Sequence, residues 1–245
     1  MSNIRQWLDM QDKVIDIKAM QAYRQQLTSQ YAVSSVNLKI ISVNRYLRWM
    51  GYENLTLMSE RVQASSSLER VITGNDYWRM LKYAEDTGRS KMRCLMRTIA
   101  LTGIRVSELE YITVEAVMQG SAEVCNKGKY RCIYLPPKLC EELMEYIHQE
   151  SIAKGVVFYG RQNGKVITAS GVWRNLRYIA CHAGVPLENV FPHSFRHLFA
   201  KTYMNQIGDI TELSDLLGHT RLETTRIYTR TTADEKRGRL EKIGL

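Results

Sequence analysis

Residues 192–197 read PHSFRH, and helical spacing in this stretch places His193 and Arg196 on one face, one turn apart. An imidazole and a guanidinium that point the same way suit an anion, because the guanidinium offers a fork of donors to phosphate oxygens. Taken alone, the fragment is more typical of a capping histidine beside a solvated arginine. The next histidine, His197, is expected to point elsewhere, and we interpret it as structural.

Two further polar signals follow toward the C-terminus. The fragment LLGH at 216–219 predicts a helix that ends at a glycine and presents His219 directly after it. Tyr228 then closes the fragment TTRIY at 224–228. A tyrosine beside Ile227 at helical spacing is more often a core residue, so Tyr228 taken alone indicates packing rather than chemistry.

An arginine and a pair of lysines precede this region. The fragment TGIR at 102–105 sets Arg105 just past a glycine, and Glu108 follows three residues later. Taken alone, these two residues form an i, i+3 surface ion pair, which is a common and weak interaction. Lys127 and Lys129 lie in a turn between two short β-like runs, where lysines are usually solvated.

Hydrophobic periodicity predicts a mainly α-helical chain with a small β-sheet, an α+β fold. The N-terminal segment shows helical spacing, and the small polar run QASSS at 63–67 indicates an interdomain linker. Ala122–Val124 and Arg131–Leu135 predict a β-hairpin, and Val156–Phe158 predicts one more short strand. From Ser170 onward the pattern is helical, with breaks at glycines.

Composition limits the class of protein. A net charge of +9 and a pI of about 9.3 favour a polyanionic partner, because each basic side chain placed on a phosphate releases condensed counterions. No window approaches the length of an apolar membrane span, and the charged N-terminus lacks a signal-peptide core, so we expect a cytoplasmic protein. Five cysteines without a C-x-x-C pair argue against a zinc site and fit a reducing compartment.

Taken together and in order, four fragments resemble the motif blocks of the tyrosine recombinase or phage integrase family, which includes Xer-like site-specific recombinases. They are TGIRVSEL (102–109), HSFRH (193–197), LLGHT (216–220) and TTRIYTR (224–230). The resemblance extends from about Leu68 to the C-terminus and is looser over the N-terminal helices.

The resemblance also implies a two-domain architecture. We expect a helical core-binding, DNA-binding domain at 1–64, a linker at 65–70 and a catalytic domain with a C-terminal tail helix at 71–245. Relatives usually carry more helices before the catalytic part, so the first domain is predicted to be shortened. Three basic residues of its later helix are candidates for DNA contacts, with a plain solvated face as the alternative: Lys39, Arg45 and Arg48.

The family's chemistry carries over to matching positions. The resemblance implies that Tyr228 is the nucleophile and forms a 3′-phosphotyrosyl intermediate, leaving a free 5′-hydroxyl and requiring no metal ion or other cofactor. It implies that Arg105 and Arg196 hold the non-bridging oxygens of the scissile phosphate. His193 and His219 would complete that cradle and assist proton transfer.

Two supporting roles follow from the same resemblance. Lys127 matches the turn lysine that protonates the departing 5′ oxygen, with Lys129 as its close rival. Glu108 matches the acidic position that orients the first arginine.

The implied partners are double-stranded DNA, a homotetramer on two DNA sites and accessory DNA-bending proteins, with the protein associated with the nucleoid. Three other functions are alternatives: a type IB topoisomerase-like enzyme, a catalytically silent DNA-binding regulator, and a helical interaction module that binds no nucleic acid. The tail after Tyr228 favours recombination over relaxation of supercoils. The presence of every expected catalytic residue type speaks against the regulator.

Overall fold

The computed structural model describes residues 15–60, 71–126, 129–160, 165–191, 193–219, 222–229 and 241. Over these residues the chain is mainly helical with one antiparallel pair of strands, which confirms the predicted fold class. The chain divides into two compact units, Met1–Ser67 and Leu68–Leu245. The predicted linker at 65–70 and nearly all of the predicted tail lie outside the described residues. No helix in the described ranges is long and apolar enough to span a membrane.

The described part of the first unit, residues 15–60, contains two helices, α1 (Ile17–Gln30) and α2 (Val33–Trp49), followed by a 3-10 turn at Glu53–Leu55. Helix α1 begins where the Asp16 side chain accepts a hydrogen bond from the backbone N–H of Ala19. Apolar residues at helical spacing on the two helices bury one another and form this unit's core. They include Met20, Tyr23, Leu27, Val36, Ile40, Val43 and Leu47.

The second unit contains the remaining helices. They are α3 (Gly74–Asp86), α4 (Ser90–Thr102), α5 (Val114–Gln119), α6 (Pro137–Gln149), α7 (Ala169–His182), α8 (Ser194–Gln206), α9 (Ile210–Leu217) and α10 (Leu222–Thr225). The described residues of this unit also form 3-10 turns at Val106–Tyr111, at Leu187–Asn189 and, directly after α10, at Arg226–Thr229. A capping box between Thr73 and Asp76 starts α3, and left-handed Gly103 and Gly218 end α4 and α9.

The sheet is a hairpin of β1 (Ser121–Asn126) and β2 (Lys129–Tyr134), paired antiparallel from Ser121↔Tyr134 to Asn126↔Lys129. This confirms the predicted hairpin. The predicted strand at Val156–Phe158 is wrong, because Val156 makes only an isolated bridge to Thr113. Val157 and Phe158 are fully buried in the helical core, so their apolar run reflects burial rather than sheet pairing.

The core of the second unit is centred on α4, which packs against α3, α6 and α8. Leu95, Met96 and Ile99 of α4 are buried within it. A smaller apolar cluster joins α8, α9 and the turn at Arg226–Thr229, and it includes Ala200, Tyr203, Met204, Leu213, Leu217 and Tyr228. Gly103 at the end of α4 lies against Phe199 of α8 and Leu217 at the end of α9, so these three helices meet there in what we call the apolar junction.

Substituting Gly103 tests how tightly the end of α4 packs against Phe199 and Leu217. Gly103 and Gly88 share a φ of +63°, but a Cβ at Gly103 would lie 2.5 Å from Phe199 Cδ1, whereas a Cβ at Gly88 meets nothing within 4 Å. We expect Gly88→Ala to lower the free energy of unfolding by about 1 kcal/mol through backbone strain. Gly103→Ala should cost roughly 1–3 kcal/mol more, because overpacking adds to the strain. Urea unfolding compares the two variants, and equal losses would contradict the tight junction.

Candidate active site

Glu108 is the centre of a salt-bridge network that connects the end of α4 to the hairpin. Its side chain is buried and accepts a hydrogen bond from the Arg105 backbone N–H at 2.9 Å. The Arg105 guanidinium donates Nη1 to Glu108 Oε1 at 2.8 Å. Arg131, on β2, donates to both carboxylate oxygens, with Nη1 at 2.9 Å and Nη2 at 2.8 Å. One carboxylate therefore fixes two guanidinium groups.

The protonation state of Glu108 follows from these contacts. Burial opposes ionisation of the carboxyl group, but the hydrogen bonds from Arg131 and Arg105 outweigh it and lower the pKa to about 2. Glu108 is therefore an anion throughout the neutral range, and it orients both arginines as a charged acceptor.

Arg196 lies on α8 and is 4% exposed. Its guanidinium donates to the backbone carbonyl of Gly103, to that of Leu217 at 2.6 Å and to His219 Nε2 at 3.2 Å. Arg105 donates Nη2 to the backbone carbonyl of Gly218 at 3.3 Å. The two arginines thus meet where α4 and α9 end.

The site carries more positive than negative charge. Burial, and then the charges of Arg105 and Arg131, lower the pKa of Arg196 to about 9. Among the described side chains of this network, Arg105 and Arg131 pair with the carboxylate of Glu108, and Arg196 interacts with it only through charge. A bound anion would relieve the remaining repulsion, so the arrangement favours an anionic ligand.

The two histidines predicted for the site differ in their surroundings. His219 Nδ1 lies 2.8 Å from Thr225 Oγ1, and its Nε2 faces Arg196. Because a guanidinium only donates, Nε2 accepts, and Nδ1 carries the hydrogen and donates to Thr225. Burial and the charges of Arg196, Arg105 and Arg131 lower the pKa of His219 to about 4, so its ring is neutral. His193, just before α8, has its pKa lowered by desolvation and by Arg196 and Arg105.

Tyr228 lies in the turn at Arg226–Thr229 and is 8% exposed. Its hydroxyl lies 2.6 Å from His197 Nδ1, and the two rings are 5.5 Å apart between centroids. Burial raises the pKa of Tyr228, with the charge of Arg196 acting in the opposite direction. Burial, and then the charges of His193 and Arg196, lower the pKa of His197 to about 4. A protonated phenol therefore faces a neutral imidazole.

The profile of the Phage integrase family matches residues 70–235, which is more than half of the chain. This chain belongs to the phage integrase family of tyrosine recombinases. The match confirms the resemblance recognised in the sequence and covers every described residue of the arginine and histidine cluster.

Individual family members show how far the similarity extends. The tyrosine recombinase XerA of Pyrococcus furiosus is 28% identical over 223 residues, which span 88% of this chain and 76% of that protein. The crystal structure of XerA recombinase covers 99% of this chain and 89% of its own, with a TM-score of 0.61 at 20% identity. The pre-cleavage complex of XerH recombinase with its difH substrate covers 91% and 69%, with a TM-score of 0.71 at 21% identity. These structural matches show a shared fold.

In this integrase-family chain, the structure brings Arg105, Glu108, Arg196 and His219 into one hydrogen-bonded network. His193 interacts with the same network through charge, and Tyr228 is joined to α8 through His197. Their catalytic roles stay predictions that this geometry supports. The described residues include no cluster of His, Cys, Asp and Glu suited to a metal ion.

The remaining predicted site residues fall elsewhere. Lys127 lies outside the described residues, as does the side chain of Lys129 at the start of β2. In the first unit, Lys39 lies over the Tyr31 ring, 4.4 Å from its centroid, while Arg45 and Arg48 are exposed. Their contacts with DNA stay predictions.

Two residues of the site were not among the sequence candidates. The sequence predicts Arg131 only as part of a strand, and its alternation with the buried Ile133 does not reveal a partner twenty-three residues earlier in the chain. The sequence taken alone favours a structural role for His197, although its spacing of four residues from His193 indicates two side chains on one face of a helix. The structure instead sets His197 against Tyr228.

The Glu108 network predicts a specific loss of stability in acid. The folded-state pKa of Glu108 is about 2 and its ordinary value is 4.5, so its contribution is complete above pH 4.5 and is lost as the pH falls toward 2. Between pH 5 and pH 3 we expect wild type to lose about 2 kcal/mol more of its unfolding free energy than Glu108→Gln does.

Urea unfolding at several pH values measures this difference. Glu110→Gln is the matched control, because Glu110 is exposed in the same 3-10 turn, and it should follow wild type. Parallel pH profiles for wild type and Glu108→Gln would contradict a buried, arginine-paired carboxylate.

Proposed function

We propose that this recombinase cleaves and rejoins double-stranded DNA at specific sites through a covalent bond between Tyr228 and a 3′-phosphate. The observation that carries the proposal is the cluster of Arg105, Arg131 and Arg196 around the single carboxylate of Glu108, which has an excess of positive charge. Arg196 of this cluster lies on helix α8 next to His197, which contacts the Tyr228 hydroxyl. A phosphodiester matches this cluster in charge and in hydrogen-bonding geometry.

Arg105 and Arg196 are the proposed phosphate-binding residues. The Arg105 side chain is 25% exposed and already oriented by Glu108, so it can reach a phosphate without reorganising. Arg196 is held by two backbone carbonyls, which keep its charge fixed within the network. Preorganised donors of this kind stabilise the charge that develops on a phosphorane-like transition state. His193 and His219 complete the cradle in the proposal.

Tyr228 is the proposed nucleophile. Its oxygen forms a bond to phosphorus while the bond from phosphorus to the 5′ oxygen breaks, and the 5′ oxygen leaves as a hydroxyl after receiving a proton from Lys127 or Lys129. A 5′-hydroxyl from a second duplex then attacks the phosphotyrosine and releases Tyr228. No phosphodiester is hydrolysed to a free phosphate, so the bond energy is retained through both steps.

Assembly on DNA is the further part of the proposal. Two DNA sites would be held by a homotetramer, with accessory DNA-bending proteins assisting, and Lys39, Arg45 and Arg48 would contact the duplex. The basic net charge of +9 supports a DNA partner. The XerH relative in the pre-cleavage complex is bound to its difH substrate, which supports the same assignment.

Replacing Tyr228 by phenylalanine tests the nucleophile. Wild type and Tyr228→Phe are incubated with a pool of nicked duplexes of randomised sequence, where the nick lets the short 5′-hydroxyl strand diffuse away and traps the adduct. DNA that remains with the protein in SDS is recovered and sequenced. We expect an adduct with wild type and complete loss with Tyr228→Phe, because only the attacking oxygen has been removed. Tyr178→Phe, at an exposed tyrosine of α7, should behave as wild type.

The other outcomes identify the competing functions. Salt-sensitive duplex binding by both proteins without any adduct would overturn cleavage and indicate a DNA-binding regulator. An adduct that reseals only its own strand and never joins a second duplex would indicate topoisomerase-like chemistry. Absence of duplex binding at any salt concentration would contradict the proposal altogether.

A further inference from the structure

The Tyr228 hydroxyl has a defined hydrogen-bond partner that the proposed phosphate cradle does not use. His197 Nδ1 lies 2.6 Å from the phenol oxygen, and the imidazole ring also contacts Phe191, with ring centroids 5.6 Å apart. Because Tyr228 keeps its proton and His197 is neutral, the phenol donates and Nδ1 accepts. His197 therefore carries its own hydrogen on Nε2.

We propose that His197 is the proton acceptor for Tyr228, taking the phenol hydrogen onto Nδ1 as the Tyr228 oxygen attacks phosphorus. The inference rests on Tyr228 being the nucleophile. The bond from oxygen to phosphorus forms, the bond from phosphorus to the 5′ oxygen breaks, and the phenol proton moves to His197. The 5′ oxygen receives a different proton, from Lys127 or Lys129. In rejoining, the imidazolium returns its proton to the departing phenolate.

The geometry favours His197 over the other histidine whose contacts are fixed. His219 uses Nε2 to accept from Arg196 and Nδ1 to donate to Thr225, so neither nitrogen offers a lone pair to Tyr228. His197 presents its lone pair to the phenol oxygen at hydrogen-bond distance, which is the first requirement for a general base.

Helix α8 explains how the acceptor stays aligned with the phosphate-binding group. Arg196 and His197 are consecutive residues, and Arg196 is anchored to the carbonyls of Gly103 and Leu217. The Arg196 anchor therefore also fixes the backbone that carries His197. The same helix sets the position of the phosphate and the direction in which the phenol proton leaves.

The charges around His197 keep its imidazole ring unprotonated, so that it can accept a proton. The titratable and charged groups that face it are Tyr228, His193 and Arg196, together with His219 after α9. Burial, then His193 and Arg196, hold the His197 pKa at about 4, so Nδ1 is unprotonated at neutral pH and accepts from the phenol. A bound phosphodiester adds negative charge beside Arg196 and offsets the repulsion, which makes the imidazolium more favourable when attack begins.

Single-turnover adduct formation tests the proposal. The substrate is the nicked duplex recovered with wild type, used with saturating protein between pH 6 and pH 9, and the variants are His197→Ala and His197→Asn. We expect His197→Ala to react about 100-fold or more slowly at pH 7, which is the usual contribution of a general base. Its rate should rise about tenfold per pH unit, because only the phenolate now reacts, while the wild-type rate stays nearly flat.

The asparagine variant separates proton transfer from orientation. An asparagine side chain accepts a hydrogen bond but takes up no proton, so His197→Asn should stay slow and show the same pH slope as His197→Ala. His182→Ala, at an exposed histidine of α7, is the control and should match wild type. Full recovery of the rate by His197→Asn would overturn proton acceptance and leave only orientation.

A substrate with sulfur in place of the bridging 5′ oxygen distinguishes protonation of the leaving group from deprotonation of Tyr228. A thiolate leaves without a proton, so this substrate restores the cleavage rate of a variant that lacks the lysine that protonates the 5′ oxygen. The defect of His197→Ala should persist, because the phenol still lacks its acceptor. A rate restored by sulfur would overturn the assignment of His197 to the nucleophile.

The failure of this proposal differs from failure of the proposed function. If wild type forms the Tyr228 adduct and His197→Ala forms it at the same rate with a flat pH profile, His197 is not the acceptor although Tyr228 is the nucleophile. If wild type forms no adduct, the proposed function itself is wrong.

Histidine nitrogen NMR of the free protein provides a readout that needs neither DNA nor a His197 variant. We expect His197 to be a neutral Nε2–H tautomer at pH 6, with an Nδ1 resonance that changes in Tyr228→Phe. Protonated His197, or an Nδ1 resonance indifferent to Tyr228→Phe, would contradict the proposal even if the alanine and asparagine variants fail to fold.

Discussion

The buried guanidinium of Arg196 is the constraint on which the site depends. A cation that is 4% exposed is costly unless its hydrogens find acceptors, and the chain supplies the carbonyls of Gly103 and Leu217 and the Nε2 of His219. Those acceptors become available because α4 and α9 end at left-handed glycines beside α8. The ends of α4 and α9, which pack against α8 at the apolar junction, therefore also supply the acceptors for the Arg196 guanidinium.

The same positive charge lowers the pKa values of the two histidines that lie beside Arg196 and Tyr228. Arg105, Arg131 and Arg196 lower the pKa of His219, while Arg196 and the neighbouring His193 lower that of His197. Both rings are consequently neutral where an unperturbed histidine would be partly protonated. Glu108 prevents the cluster from being wholly repulsive, and its low pKa means that it stays charged at any pH where the protein is expected to act. A cluster balanced in this way binds an anion and leaves an acceptor lone pair beside Tyr228.

Short-range features of this architecture could be predicted from the sequence, and long-range ones could not. Helix ends at Gly103 and Gly218 and the pairing of β1 with β2 follow from local sequence patterns, and Arg196 followed from the spacing of its motif. Arg131 was missed because its pairing with Glu108 depends on the strand's position against the Val106–Tyr111 turn. The sequence taken alone allows two interpretations of Tyr228, as a packed core residue or as a reactive group. The structure supports elements of both, since Tyr228 is buried in an apolar cluster and its hydroxyl is hydrogen-bonded to His197.

Tandem mass spectrometry of the protease-digested covalent complex tests the central claim most directly, because it locates the bond between protein and DNA. We predict a peptide in which Tyr228 carries a nucleotide through its 3′-phosphate. Attachment at any other side chain, or through a 5′-phosphate, would contradict the account.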